Sequence, residues 1–180
     1  ASPEHGLYGK TEPSDRLQGL DELLRSAQGK RVLDLGAAEG FIANALMEHG
    51  AYRVDAYELE ESRVRLGNRL FGWDGMRFQQ ANLAERADVD RVVSQSPDEG
   101  YDLVLYLGLH HHLPYPMRLQ TLDSIARLCT GTLVIRTTPE VISSDALETR
   151  LAEHGFQLES SESDPDSFAG PVHTYHRSAS

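Results

Sequence analysis

The sequence predicts an α/β fold built around a parallel sheet, and three observations carry that prediction. Arg31-Val32-Leu33-Asp34-Leu35 is a short apolar run that stops at Gly36. Helical periodicity then sets in from Glu39 to Glu48, with Phe41, Ile42, Ala45 and Leu46 on one side. Tyr101-Asp102-Leu103-Val104-Leu105-Tyr106-Leu107 is nearly continuous in apolar character, the pattern of a strand covered on both faces. Between and after these two runs, strand-like and helix-like segments alternate, as parallel strands joined by helical crossovers require.

Composition narrows what such a fold can do. A chain of 180 residues suits one domain with a real core, and 39% hydrophobic with 25% charged residues describes a globular protein. No apolar run approaches the roughly 20 residues that span a bilayer, and the first residues lack a basic-then-apolar leader pattern. The single cysteine, Cys129, excludes an internal disulfide and fits a reducing, cytoplasmic setting. It follows Ile125, Ala126 and Leu128 at what reads as the end of an apolar helix, so a buried structural thiol is expected. A net charge of −11 repels a polyanion at long range, and Lys10 and Lys30 are the only lysines. A neutral or cationic small molecule is therefore favoured over nucleic acid as partner.

The first βα turn shows how a ligand would be held. Gly36 and Gly40 allow a tight bend and close backbone approach, and the following helix starts with unpaired N–H groups. The spacing Asp34-x-Gly36-x-x-x-Gly40 is not the G-x-G-x-x-G of a pyrophosphate loop. An acid just before the first glycine disfavours a phosphate and favours a cation. The next predicted strand, residues 52–58, ends in Glu58, 24 residues beyond Asp34. A carboxylate there can accept both hydroxyls of a ribose at once, and an acid about 20 residues past the turn is the usual place for it.

Asp34-Leu35-Gly36-Ala37-Ala38-Glu39-Gly40 resembles motif I of the class I, Rossmann-like S-adenosylmethionine (SAM)-dependent methyltransferases, E/D-x-G-x-G-x-G, with Ala38 where the middle glycine is usual. Residues 101–114, Y-D-L-V-L-Y-L-G-L-H-H-H-L-P, resemble motif IV of small-molecule members of that family. The likeness covers roughly residues 30–178. It implies a three-layer α/β/α sandwich with a seven-stranded, mostly parallel sheet whose last strand is antiparallel. SAM is the implied cofactor and S-adenosyl-L-homocysteine (SAH) the product. Asp34 with the Gly36–Ala37 backbone and Gly40 would hold the amino-acid part of SAM, Glu58 with Leu59 the ribose, Asn82 with Leu83 the adenine, and the Leu107 carbonyl the α-ammonium.

The remaining segments fall in order around this frame. Residues 1–29 read as an irregular arm and a helix capped at Ser14 or Asp15, with Leu17, Leu20, Leu23 and Leu24 on its apolar face. Tyr8, Lys10 and Arg16 of that arm would face a substrate if the arm closes as a lid. Residues 30–180 form the ligand-binding domain: a helix over 62–71, a strand over 76–80, and a helix through 91–93 for which Asn82 is a candidate N-cap. A helix over 117–128, a strand over 131–137, a helix over 143–154 and two closing strands beginning at 155 and 172 complete it. In the loop after the apolar strand, His111 is the favoured general base for an acceptor hydroxyl or amine and His110 the second choice, since imidazole titrates near neutral pH. A metal site is not expected, because adjacent loop side chains rarely converge on one ion. The resulting expectation is methyl transfer to a small-molecule acceptor. RNA methylation, SAM binding without turnover and nicotinamide-dependent chemistry are the alternatives.

Overall fold

Buried β-branched and leucine side chains on both faces force the central strands into the middle of the molecule. The structure, a computed structural model, describes residues 20–162 and 171–178. Helix α1 (Asp21–Arg25) leads to β1 (Arg31–Leu35), α2 (Phe41–Glu48), β2 (Arg53–Glu58), α3 (Glu61–Leu70), β3 (Met76–Gln80) and α4 (Arg86–Gln95). Strand β4 (Tyr101–Leu107) ends in a 3-10 turn, His110–His112, followed by α5 (Met117–Leu128) and β5 (Cys129–Arg136). Two short helices, α6 (Pro139–Ser144) and α7 (Leu147–Glu153), precede β6 (Phe156–Glu162) and β7 (Val172–Arg177).

The seven strands form one sheet in the order β3-β2-β1-β4-β5-β7-β6. Strands β1 to β5 pair in parallel, whereas β7 inserts antiparallel between β5 and β6. This is the predicted three-layer fold, down to the direction of the last strand. One face of the sheet packs Leu33, Leu35, Tyr57, Tyr106, Leu122 and Leu147 into a core with α4, α5 and α7. The other packs Val32, Val54, Leu103, Leu105, Leu20 and Leu24 with α1, α2 and α3. Leu20 and Leu24 are buried, and each contributes about 1.5–3 kcal/mol by leaving water. Their burial anchors the start of the described chain. The proposed caps Ser14 and Asp15, and the candidate substrate residues Tyr8, Lys10 and Arg16, lie outside the described residues.

Three local expectations need correction. The single helix over 143–154 is two helices, broken at Asp145-Ala146, where Ala146 takes φ +49°. The cause is Asp145, a buried carboxylate drawn inward to accept from Arg118 Nη2 at 2.6 Å and to meet His110 Nε2 at 3.0 Å. Cys129 opens β5 rather than ending the helix before it, and burial pushes its thiol pKa up to about 12. It remains the inert thiol the sequence predicted. Asn82 does not cap α4, whose N-cap is Glu85. Its Oδ1 accepts instead from the Ala84 N–H at 3.1 Å, closing a local turn of the kind Asn favours.

Candidate functional site

The site begins where β1 runs out. At Gly36, φ +78° turns the chain sharply, and at Gly40, φ +84° starts α2. Both angles fall in the left-handed region that glycine enters without steric cost. The N–H groups of Gly36 and Ala37 donate to the Tyr57 carbonyl at 2.9 and 3.0 Å, which ties the turn to β2. Those two donors are thus committed within the protein. What the turn offers is close approach at Gly36. Ala38 also adopts φ +51°, which explains why a glycine is usual at that place in the motif. A non-glycine residue there costs about 1 kcal/mol.

Glu58 closes the turn from the other side. Its Oε2 accepts from the Ala38 N–H at 2.9 Å and its Oε1 from the Glu60 N–H at 3.0 Å. A carboxylate has about four acceptor positions, so two remain for a ligand. Asp34, one strand away, is 2% exposed, and its Oδ2 has no hydrogen-bond partner among the described residues. Burial, reinforced by the neighbouring Glu58 charge, raises its pKa to about 7. A buried acid with an orphaned oxygen is the feature a bound cation would relieve.

These groups border a cleft of about 370 Å3 at the carboxyl ends of β1, β2, β3 and β4. Gly36, Glu58, Leu59, Asn82, Leu83 and Leu107 all line it, so six of the nine predicted cofactor residues come together. The other three, Asp34, Ala37 and Gly40, lie in or beneath the turn, and all are buried. Nine further residues line the cleft, and Ala38, Arg63, Leu109, His112 and Leu113 are the most informative of those that the sequence reading missed. Ala38 stands inside the motif, and the two leucines flank the histidines, so both signals were present. Arg63 carried none. It is placed by its 3.2 Å ion pair with Glu60.

The three histidines separate. His110 is fully buried, with Nε2 on Asp145 at 3.0 Å and Nδ1 on the Tyr106 hydroxyl at 3.3 Å. Burial depresses its pKa despite the Asp145 contact. Such a ring cannot reach an acceptor, so His110 is withdrawn as a candidate base. Its task is to fasten the turn to the α6–α7 break. His111 is half-buried with Nδ1 3.2 Å from Thr137 Oγ1, and its ring lies 4.0 Å from that of His112. Burial, followed by the His112 charge, lowers the His111 pKa. His112 is the member of the trio that lines the cleft.

Similarity to known proteins fits this geometry. The Methyltransf_25 family, described as a methyltransferase domain, matches residues 32–131, which include the turn, both acids and β4. The ubiquinone biosynthesis O-methyltransferase of Bordetella avium is 29% identical over 117 residues, covering 64% of this chain and 43% of that protein. The chain therefore spans less than half the length of the curated relatives it matches. Among solved structures, the Synechocystis PCC 6803 magnesium protoporphyrin IX methyltransferase with bound SAM superposes with TM-score 0.71 at 16% identity, over 97% of this chain and 88% of that one. A TehB-like SAM-dependent methyltransferase from Corynebacterium glutamicum gives TM-score 0.67 at 19% identity, over 98% and 91%. At such identities these two likenesses show the fold. With the family match covering more than half of the sequence, the chain belongs to the class I SAM-dependent methyltransferases.

Proposed function

We propose that the protein transfers a methyl group from SAM to the oxygen or nitrogen of a small-molecule acceptor. One observation supports this reading: Glu58 lines a cleft at the sheet rim, and its charge acts on a buried neighbour, Asp34, whose Oδ2 has no hydrogen-bond partner among the described residues. A sulfonium nucleoside brings the matching groups, a ribose diol for Glu58 and an α-ammonium for Asp34. Bound SAM supplies a methyl carbon already activated by positive sulfur. The residues of the cleft would hold SAM against the acceptor, and a neighbouring side chain would take the acceptor's proton.

The protein's contribution is then alignment, exclusion of water and placement of that base. Leu59, Leu83, Leu109 and Leu113 give the cleft its apolar walls, against which an adenine ring packs. Asn82 spends Oδ1 on its own turn, so its side-chain amide donors face the ring more readily than its acceptor does. His111 is proposed as the base. Its depressed pKa keeps the imidazole neutral at pH 7, as proton acceptance requires, and His112 is the cleft-lining neighbour that can share the role. Two of the proteins named above, the ubiquinone biosynthesis and magnesium protoporphyrin IX methyltransferases, are named for small molecules, and the net charge of −11 disfavours a polyanionic acceptor.

Incubation with methyl-labelled SAM and a panel of uncharged and cationic hydroxy and amino compounds tests the assignment. Label transfer with stoichiometric SAH is expected for at least one of them. SAH binding without transfer to any acceptor class, nucleic acid included, would instead indicate a SAM-binding module.

A further inference from the structure

The rim of the sheet carries a second hollow, on the far side of β5 from the cleft. It is an open recess of about 680 Å3 between α6, α7 and the start of β7, with Pro139, Ile142, Ala146, Leu147 and Pro171 among its walls and His173 in its lining. Strand β7 runs antiparallel to β5, so its first residues sit at the same rim as the end of β4. Leu107 pairs with Arg136, and the adjacent Ile135 pairs with His173. Two strand spacings, about 10 Å, therefore separate β4 from β7 along the sheet, a distance that one small organic molecule bridges.

His173 is 8% exposed, and neither of its ring nitrogens has a hydrogen-bond partner among the described residues. Two positions along, on the same face of β7, Tyr175 buries its hydroxyl, also without a partner among them. The two rings stack with centroids 6.4 Å apart. Buried polar atoms in proteins are nearly always satisfied, so the unpartnered His173 ring in the lining of the recess marks where a ligand's polar group belongs. Burial lowers the His173 pKa more than the nearby Glu148 charge raises it, so the ring is neutral at pH 7 and offers one donor and one acceptor. A hydroxyl group, which both donates and accepts, matches that pair. An anion would meet the Glu148 carboxylate in the same lining.

We propose that this recess receives the body of the methyl acceptor, an uncharged hydroxyl-bearing ring compound that hydrogen-bonds to His173 while its reactive end reaches the cleft. The proposal rests on the methyl-transfer reading above and adds the acceptor's chemical class and seat.

Ligand-observed NMR on the whole chain, loaded with SAH, tests it with 4-ethylphenol as probe and with ethylbenzene and 4-ethylbenzoate as matched controls. The phenol is expected to bind at least tenfold more tightly than either control. His173→Phe, which keeps a ring but no hydrogen bond, should weaken phenol binding at least tenfold and leave SAH affinity unchanged. In the unaltered protein, the His173 ring resonances should shift on adding the phenol, a readout that does not depend on the variant folding. Equal binding of all three probes, or unmoved His173 resonances at saturating phenol, would overturn the proposal. If SAH binds and the phenol does not, the recess assignment fails and the cofactor reading stands. Absence of SAH binding defeats the cofactor reading, and phenol binding at His173 would then mark a ligand site unconnected with methyl transfer.

Discussion

The two ends of the sheet rim are built by different means. On the β1–β2–β4 side, the polar groups come from short, continuous stretches: Asp34 to Gly40 forms one turn, and Glu58 ends the next strand and holds that turn through the Ala38 N–H at 2.9 Å. On the β5–β7–β6 side, the walls come from segments far apart in sequence, joined through a buried carboxylate. Asp145 links Arg118 of α5, His110 of the turn after β4 and the break between α6 and α7. Burial works against this carboxylate, but hydrogen bonds from Arg118 and His110 and their charges outweigh it, holding its pKa below the ordinary value. Local chemistry shapes the cofactor side, and a long-range polar tether shapes the other.

Cutting the tether is the severest way to break this contrast. Asp145→Ala leaves the inward-facing Arg118 and His110 without their acceptor, and chemical denaturation should register a loss of about 3 kcal/mol or more. If the loss stays under about 1 kcal/mol, the tether does not hold the far side together. A comparable effect, on rate rather than stability, is expected at the histidine turn. His111→Ala should lower kcat about 100-fold while leaving SAM affinity near its original value. Equal loss in His112→Ala and none in His111→Ala would move the base to the cleft-lining ring.

The cofactor side is sharpened by pH. Asp34 has its folded pKa raised to about 7 from an ordinary 3.8, so the folded protein holds an extra proton between those values. Stability of the ligand-free protein should therefore fall as pH rises through that window, with the full penalty present above about 7. Affinity for the cationic amino-acid end of SAH should rise over the upper part of the same window, because ionised Asp34 attracts it. Asp34→Asn should flatten both dependences, and a calorimetric titration series follows them directly. A pH-independent affinity in the unaltered protein would detach Asp34 from the ligand. The smallest effect is expected at Ala38, where φ is +51°. Ala38→Gly relieves left-handed strain of about 1 kcal/mol but adds chain entropy, for a net gain of roughly 0.5 kcal/mol visible as a slightly higher Tm.

The same contrast accounts for what the sequence made legible. The strands were readable because each is a short apolar run punctuated by glycine or polar residues, and β3, β4 and β7 have the predicted bounds. Glu58 was readable because strand, turn and acid follow at fixed spacing. His110 was misassigned because adjacency in sequence says nothing about which ring turns inward. That choice is made by Asp145, 35 residues later. The split of the predicted 143–154 helix has the same origin, since helical periodicity cannot reveal that one acid in it is claimed by a distant arginine. Nor could the recess at His173 be anticipated, because its walls meet only when β7 inserts beside β5.

The central claim is that Glu58 with Asp34 grips a sulfonium nucleoside, and calorimetric titration of SAH into the unaltered protein and Glu58→Ala tests it most directly. The account predicts saturable one-to-one binding by the former and a loss of about 10- to 100-fold in the latter, because the buried turn and the ribose lose one charged acceptor together. Equal affinity in the two proteins, or no binding by the unaltered one, would contradict it.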